Sequence, residues 1–103
     1  RKMFKAIILL KKKEDITSEQ FKDWWINSHS PKAAKLPNIR KLCFNLVENE
    51  GEKAFDGVAE QWFDSQEDFE SAYASEIGQK VAADSISNVL KRERLFVKEH
   101  DII

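Results

Sequence analysis

Glycine and proline are scarce in this chain of 103 residues, at three and two, and there is a single cysteine. The three glycines form no GxGxxG or GxxxxGK loop, so no backbone cradle for nucleotide phosphates is present. Cys43 alone cannot close an internal disulfide, and no CxxC or Cys/His spacing surrounds it to hold a metal. The chain is therefore expected to use neither metal nor cofactor. Charge of one sign is lacking too: the net charge is −1, which supplies no basic stripe for nucleic acid. The longest apolar run, Ala6–Leu10, is too short for a membrane span or a signal-peptide core. A cytoplasmic protein with no nucleic-acid or membrane partner is expected. What is present, 42% hydrophobic and 34% charged residues, is the composition of one folded domain over residues 1–103.

The unusual residues gather between Thr17 and Asn38. Thr17 and Gln20, three apart, have the spacing of a capping box, and Ile16 and Phe21 sit at the positions of a hydrophobic staple. Phe21, Trp25 and His29 recur at i, i+4 and i+8, with Trp24 and Ser28 on the same side. Ser30-Pro31 has the pattern of a new cap and first helical residue, which predicts a bend after His29 and a short continuation through Lys32–Leu36.

Before this stretch, Lys2–Leu10 reads as a strand apolar on both faces and stopped by Lys11-Lys12-Lys13. After it, Arg40–Glu48 alternates, with Leu42, Phe44 and Leu46 on one side and Cys43, Asn45 and Val47 on the other. Asn49–Lys53 is a hairpin turn containing Gly51, and Phe55–Phe63 is a third strand. Ser65 caps a second helix with the stripe Phe69, Ala72 and Tyr73, weakened at Gly78 and continuing over Val81–Leu90. Arg94–Lys98 is a short last strand. The order βαββαβ predicts an α+β sandwich, a four-stranded antiparallel sheet with both helices on one face. Two helices cover one face only, while the first strand is apolar on both. A second copy of the sheet is the expected cover, giving a homodimer.

His29 is the candidate catalytic residue, because an imidazole can remove or return a proton near neutral pH. The plainer alternative is a histidine bonded to a carbonyl at a helix end. Trp25, on the His29 face, and Phe21 are candidate walls for an apolar ligand, whereas Trp24 is assigned to packing. Glu60 lies mid-strand, where an ionised carboxylate needs a partner. It either orients His29, serves as an acid, or meets a cation across a dimer interface. Glu60 and Trp62 complete the candidate substrate contacts. Asp84 is read as a helix cap, Tyr73 as core and His100 as solvated.

The run FxxWWxxxHSP (Phe21 to Pro31), then FDGVAEQWFDS (Phe55 to Ser65), then a helix leading to Ala83-Asp84, resembles the EthD-like family. That resemblance implies a ferredoxin-like protomer, a dimeric α/β barrel with two sheets packed face to face, and a small-molecule site between sheet and helices. It further implies oxidoreductase grouping and small-molecule catabolism of the ether-degrading kind. Related barrels include cofactor-free monooxygenases, isomerases and cyclases, several of which use a histidine, here matched by His29. Isomerase or cyclase chemistry, a non-catalytic ligand carrier and a haem-handling dimer are the alternatives.

Overall fold

The structure, a computed structural model, describes residues 2–103. Its frame is a single antiparallel sheet of β1 (Phe4–Lys12), β2 (Lys41–Leu46), β3 (Gly57–Phe63) and β4 (Val89–Val97), ordered β2-β3-β1-β4. The central strand β1 pairs Ala6 with Gln61 and Ile8 with Ala59 on β3, and Ala6 with Phe96 and Leu10 with Arg92 on β4. Because side chains alternate along a strand, Ala6, Ile8 and Leu10 share one face with Ala59, Gln61, Phe63, Arg92 and Phe96. All the helices pack there: α1 (Ser18–Asp23), a π-helical segment (Trp24–His29), α2 (Ser30–Ala33), α3 (Gln66–Ala74) and α4 (Glu76–Asn88). This is the ferredoxin-like arrangement. The core lies between the two layers, where Trp25, Phe21, Phe63, Phe69 and Leu10 are the largest fully buried side chains.

The molecule measures 40 × 39 × 19 Å, and the short dimension is about that of one sheet and one helix layer. Among the described residues no helix covers the opposite sheet face, and only Glu99 of the C-terminal tail reaches it, at Lys5 and Trp62. That face presents Ile7, Leu9, Val58 and Leu95, with Lys5 and Glu60 among them, and Leu95 is 46% exposed. No helix among the described residues is long and apolar enough to cross a membrane.

The expected bend at Ser30-Pro31 is not a break. Backbone angles stay helical through His29 (φ −79°, ψ −44°) and Ser30 (φ −58°, ψ −39°). Proline lacks an N–H and crowds the carbonyl four residues earlier, and the chain accommodates it by widening the preceding turn. The Ser30 N–H donates five residues back to the Trp25 carbonyl, and the Ser30 hydroxyl donates to the Ile26 carbonyl at 2.6 Å. Ser30 thus bonds backwards into the helix and caps nothing. Ser28, expected beside Trp25, is exposed.

The second helical region divides at Ser75, whose hydroxyl accepts from the Gly78 N–H at 3.0 Å to start α4. Gly78 is the residue that lets the two helices meet closely, since a Cβ there would lie 2.0 Å from the Ala72 carbonyl oxygen. Strand β4 starts at Val89, five residues before the expected Arg94. At the same end of the sheet, where Lys12 pairs with Val89, β1 runs on through Lys11 and Lys12. The Lys12 N–H donates to the buried Asp56 carboxylate at 2.9 Å, and Lys11 and Lys53 stand beside the same carboxylate. Those anchors hold lysines in a strand that their charge alone would have ended.

Candidate active site

The capping box forms as the spacing requires: Gln20 N–H donates to the Thr17 hydroxyl at 3.1 Å, and Thr17 N–H donates to Gln20 Oε1 at 2.8 Å. It fixes the start of α1 and so the direction in which Phe21, Trp25 and His29 project, all three buried against the sheet. The π-helical turn carries both Trp25 and His29, and such wide turns recur at functional sites. Trp25 stacks on Phe44 of β2, with centroids 4.3 Å apart and planes within 13°. Its far edge lies on Gly57 of β3, where a Cβ would stand 2.7 Å from the indole ring. Glycine is needed there for close approach. The imidazole of His29 is flanked by Phe44 at 6.2 Å and by Trp24 at 5.1 Å between centroids. Trp24, assigned to packing from the sequence, is thus a wall of the histidine's surroundings.

His29 Nδ1 lies 2.8 Å from Asp84 Oδ2 on α4, across 55 positions of sequence. Burial pushes the imidazole's pKa below its ordinary value, and the hydrogen bond to Asp84 opposes that only in part. Burial also works against the charge on Asp84, but the hydrogen bonds it accepts from His29 and Lys32 together outweigh it and hold the carboxyl below the usual range. At neutral pH the pair is therefore a carboxylate and a neutral imidazole. An ionised carboxylate can only accept, so the proton sits on Nδ1 and the lone pair on Nε2. That is a base held in one tautomer, with a carboxylate placed to stabilise the imidazolium.

His29 and Trp25 line a cavity of about 10 Å³ between the helices and the sheet, room for about one water. Ile8, Leu10, Phe44, Ala59 and Val81 supply its apolar wall, and Gln61, Tyr73, Ser85 and Arg92 its polar one. Gln61 Nε2 donates to the Tyr73 hydroxyl at 2.7 Å. Outside the helices a larger groove of about 510 Å³ runs between α2 and α4; Val81 borders both spaces, and Asp84 lines the outer one.

The other two candidates lie elsewhere. Glu60 and Trp62 alternate with Gln61, so they occupy the uncovered sheet face while His29 faces the helices. Glu60 pairs with Lys5 at 2.8 Å within the same chain, and that bond holds its carboxyl below the usual range. Trp62 lies between Lys5 and Lys41, whose ammonium groups stand 4.6 and 4.7 Å from its ring centroid. The structure brings Trp25 and His29 together, leaves Phe21 behind Trp25 outside the cavity lining, and sets Glu60 and Trp62 apart from them. Asp84, Gln61, Tyr73 and Arg92 are the members that the sequence did not assign to the site. Asp84 had one signal: it flanks the buried Val81/Ser85 stripe of an amphipathic helix. Among the described residues no group of three His, Cys, Asp or Glu is placed to hold a metal ion.

The family model of the EthD domain matches residues 13–89. The chain belongs to the EthD family. A search of the curated proteins returns no match. Among solved structures, this EthD domain resembles an ethyl tert-butyl ether d (ethd) family protein of Bacillus halodurans, with TM-score 0.82 and 23% identity over 95% of this chain and 99% of that one. A dimeric protein of unknown function and ferredoxin-like fold from Bacteroides fragilis gives TM-score 0.73 and 23% identity, covering 94% and 96%. SnoaB, a cofactor-independent oxygenase of Streptomyces nogalater, gives 0.74 and 13%, covering 100% and 98%. At these identities the likeness speaks to the fold.

Proposed function

We propose that this EthD domain is a cofactor-free enzyme of small-molecule catabolism that begins its reaction by taking a proton from a modest, largely apolar substrate. The observation that carries the reading is the 2.8 Å bond between His29 and Asp84 at the wall of a buried, aromatic-lined cavity. His29 accepts the substrate proton at Nε2, Asp84 steadies the resulting imidazolium, and Trp25 and Phe44 form the apolar wall. Passing the deprotonated substrate to oxygen would make the enzyme an oxidoreductase, as the cofactor-independent oxygenase among the fold relatives suggests. Returning the proton elsewhere would make it an isomerase or cyclase. The first step is common to both. Since the cavity takes only a water-sized occupant as it stands, substrate entry requires its walls to part, and the seam between α2 and α4, where Val81 borders both the cavity and the outer groove, is the proposed route.

The working unit in this proposal is a homodimer. The apolar, uncovered sheet face supports it, as does the description of the Bacteroides fragilis relative as dimeric.

Proton abstraction is testable without the natural substrate. A panel of small enolisable ketones, lactones and polyphenols is incubated in D2O with the wild type and with His29→Ala, and loss of the C–H signals is followed by proton NMR. For at least one compound the wild type is expected to exchange about 100-fold faster or more, the usual yield of a positioned acid–base group. Equal rates for both proteins across the panel would refute the reading.

A further inference from the structure

Arg92 is the anomaly of the helix-facing sheet surface. Its pairing with Leu10 puts it on that face, as the pairing with Ile8 does for Arg94. Arg94 is accounted for, since its guanidinium lies 5.4 and 5.1 Å from the ring centroids of Phe69 and Phe96. Arg92 makes no ion pair among the described residues, and its Nε is buried with no hydrogen-bond partner. Among these residues the one hydrogen-bonding neighbour of its guanidinium is the neutral Tyr73 hydroxyl, which supplies no counter-charge. Gln61, 3% exposed, gives its Nε2 to Tyr73 but leaves Oε1 buried and without a partner. Both orphaned residues line the same cavity as His29. A guanidinium partly taken out of water with no counter-charge and a buried Nε left unpaired, and an amide oxygen with no donor, each destabilise a fold unless something else supplies the partner.

We infer that Arg92 is the anion-binding residue of this cavity, and that the substrate is a phenol or enol whose ionised oxygen lies against the Arg92 guanidinium while a hydroxyl or other donor on it meets Gln61. This rests on the reading of the cavity as the substrate site. The step balances: His29 Nε2 takes the proton, and the electron pair stays on the substrate as a phenolate or enolate beside Arg92. The imidazolium keeps its Nδ1–H bond to Asp84. Base and oxyanion partner thus come from opposite walls, His29 from the helix layer and Arg92 from the sheet. A carboxylate ligand would satisfy Arg92 equally but, already ionised, has no acidic O–H for His29 to deprotonate, and one without an activated C–H would act as an inhibitor.

The probe is 4-nitrophenol, which ionises near neutral pH and reports its ionisation by visible absorption. Bound to the wild type it is expected to favour the phenolate at least tenfold over the phenol, a fall of about one unit in its apparent pKa. Arg92→Met should abolish the preference, Arg92→Lys should keep part of it, and Gln61→Leu should weaken binding of the hydroxylated analogue 4-nitrocatechol more than that of 4-nitrophenol. His29→Ala should lose proton exchange yet keep a phenolate preference that Arg92→Met lacks, which separates this inference from the one it rests on. Retention of the preference in a folded Arg92→Met protein overturns the inference. So does equal affinity of the wild type for phenol and phenolate, or no binding of either at millimolar concentration, and these two results do not depend on any variant folding.

Discussion

Replacing Asp84 with alanine removes the acceptor of the His29 Nδ1–H, and the structure sets the size of the effect. His29 is 5% exposed, so water cannot readily take the place of the carboxylate. A buried donor left without a partner costs about 1–3 kcal/mol. Two smaller contributions nearly cancel. The pair between Asp84 and Lys32 at 3.3 Å joins a half-exposed lysine and contributes under about 1 kcal/mol, while alanine improves the interior of α4 by roughly 0.5 kcal/mol. The net loss of about 1–3 kcal/mol corresponds to a fall in Tm of roughly 5 to 20 °C for a domain of this size. Asp84→Asn keeps an oxygen acceptor and should lose less than half as much, and Lys32→Ala should stay within about 0.5 kcal/mol of the wild type.

The pH dependence adds a second signature. Burial holds the folded pKa of His29 below its ordinary 6.5, so well above pH 6.5 both folded and unfolded histidine are neutral. As pH falls through 6.5 toward the folded value, the unfolded chain takes up the proton first and stability drops. Without the Asp84 charge the folded value moves lower still, so the decline is steeper and continues to lower pH. Thermal melts of the four proteins between pH 5 and 8 read both effects. An Asp84→Ala protein melting within about 2 °C of the wild type throughout would show that the dyad is not formed as described.

Three further perturbations follow from the geometry. Gly57→Ala would place a methyl 2.7 Å from the Trp25 ring and should lower stability by about 1–3 kcal/mol, with a changed near-UV circular dichroism spectrum; an unaltered spectrum and melt would mean the indole lies elsewhere. Ser30→Ala removes the 2.6 Å bond to the Ile26 carbonyl and should cost about 1 kcal/mol, measurable by urea denaturation, and a neutral result would remove the serine from the account of the wide turn. Leu95→Glu puts charge on the open sheet face and should convert a sedimenting dimer into a 12.0 kDa monomer; a wild type already monomeric at micromolar concentration would contradict the proposed assembly.

What could be read from the sequence was local or periodic. The Thr17/Gln20 box needs residues three apart, and the Phe21/Trp25/His29 stripe needs four-residue spacing that survives in a π turn as in an α turn. The apolar run of β1 and the alternation of β2, and with them the ferredoxin-like order, depend only on neighbouring residues. Hidden from it were features that depend on distant partners. Asp84 meets His29 across 55 positions, and its one local signal, a place beside the Val81/Ser85 stripe, does not name that partner. Arg92 was hidden because Val89–Val97 begins with residues that also suit a helix end, and only pairing with β1 makes them strand. Ser30-Pro31 misled because its local pattern matches a cap, whereas the serine bonds backward. Glu60 could not be assigned a face from alternation, since Val58 and Trp62 on its own side are as apolar as Ala59 and Phe63 on the other.

The state of the imidazole itself tests the central claim most directly. In ¹⁵N-labelled protein, the ring nitrogens of His29 report tautomer and charge by NMR across a pH titration. The dyad described here predicts a neutral ring at pH 7 with its proton on Nδ1, an unprotonated Nε2, and a pKa below 6.5 that falls further in Asp84→Asn. A ring charged at pH 7, or a neutral ring with its proton on Nε2, would contradict the assignment of His29 as the base.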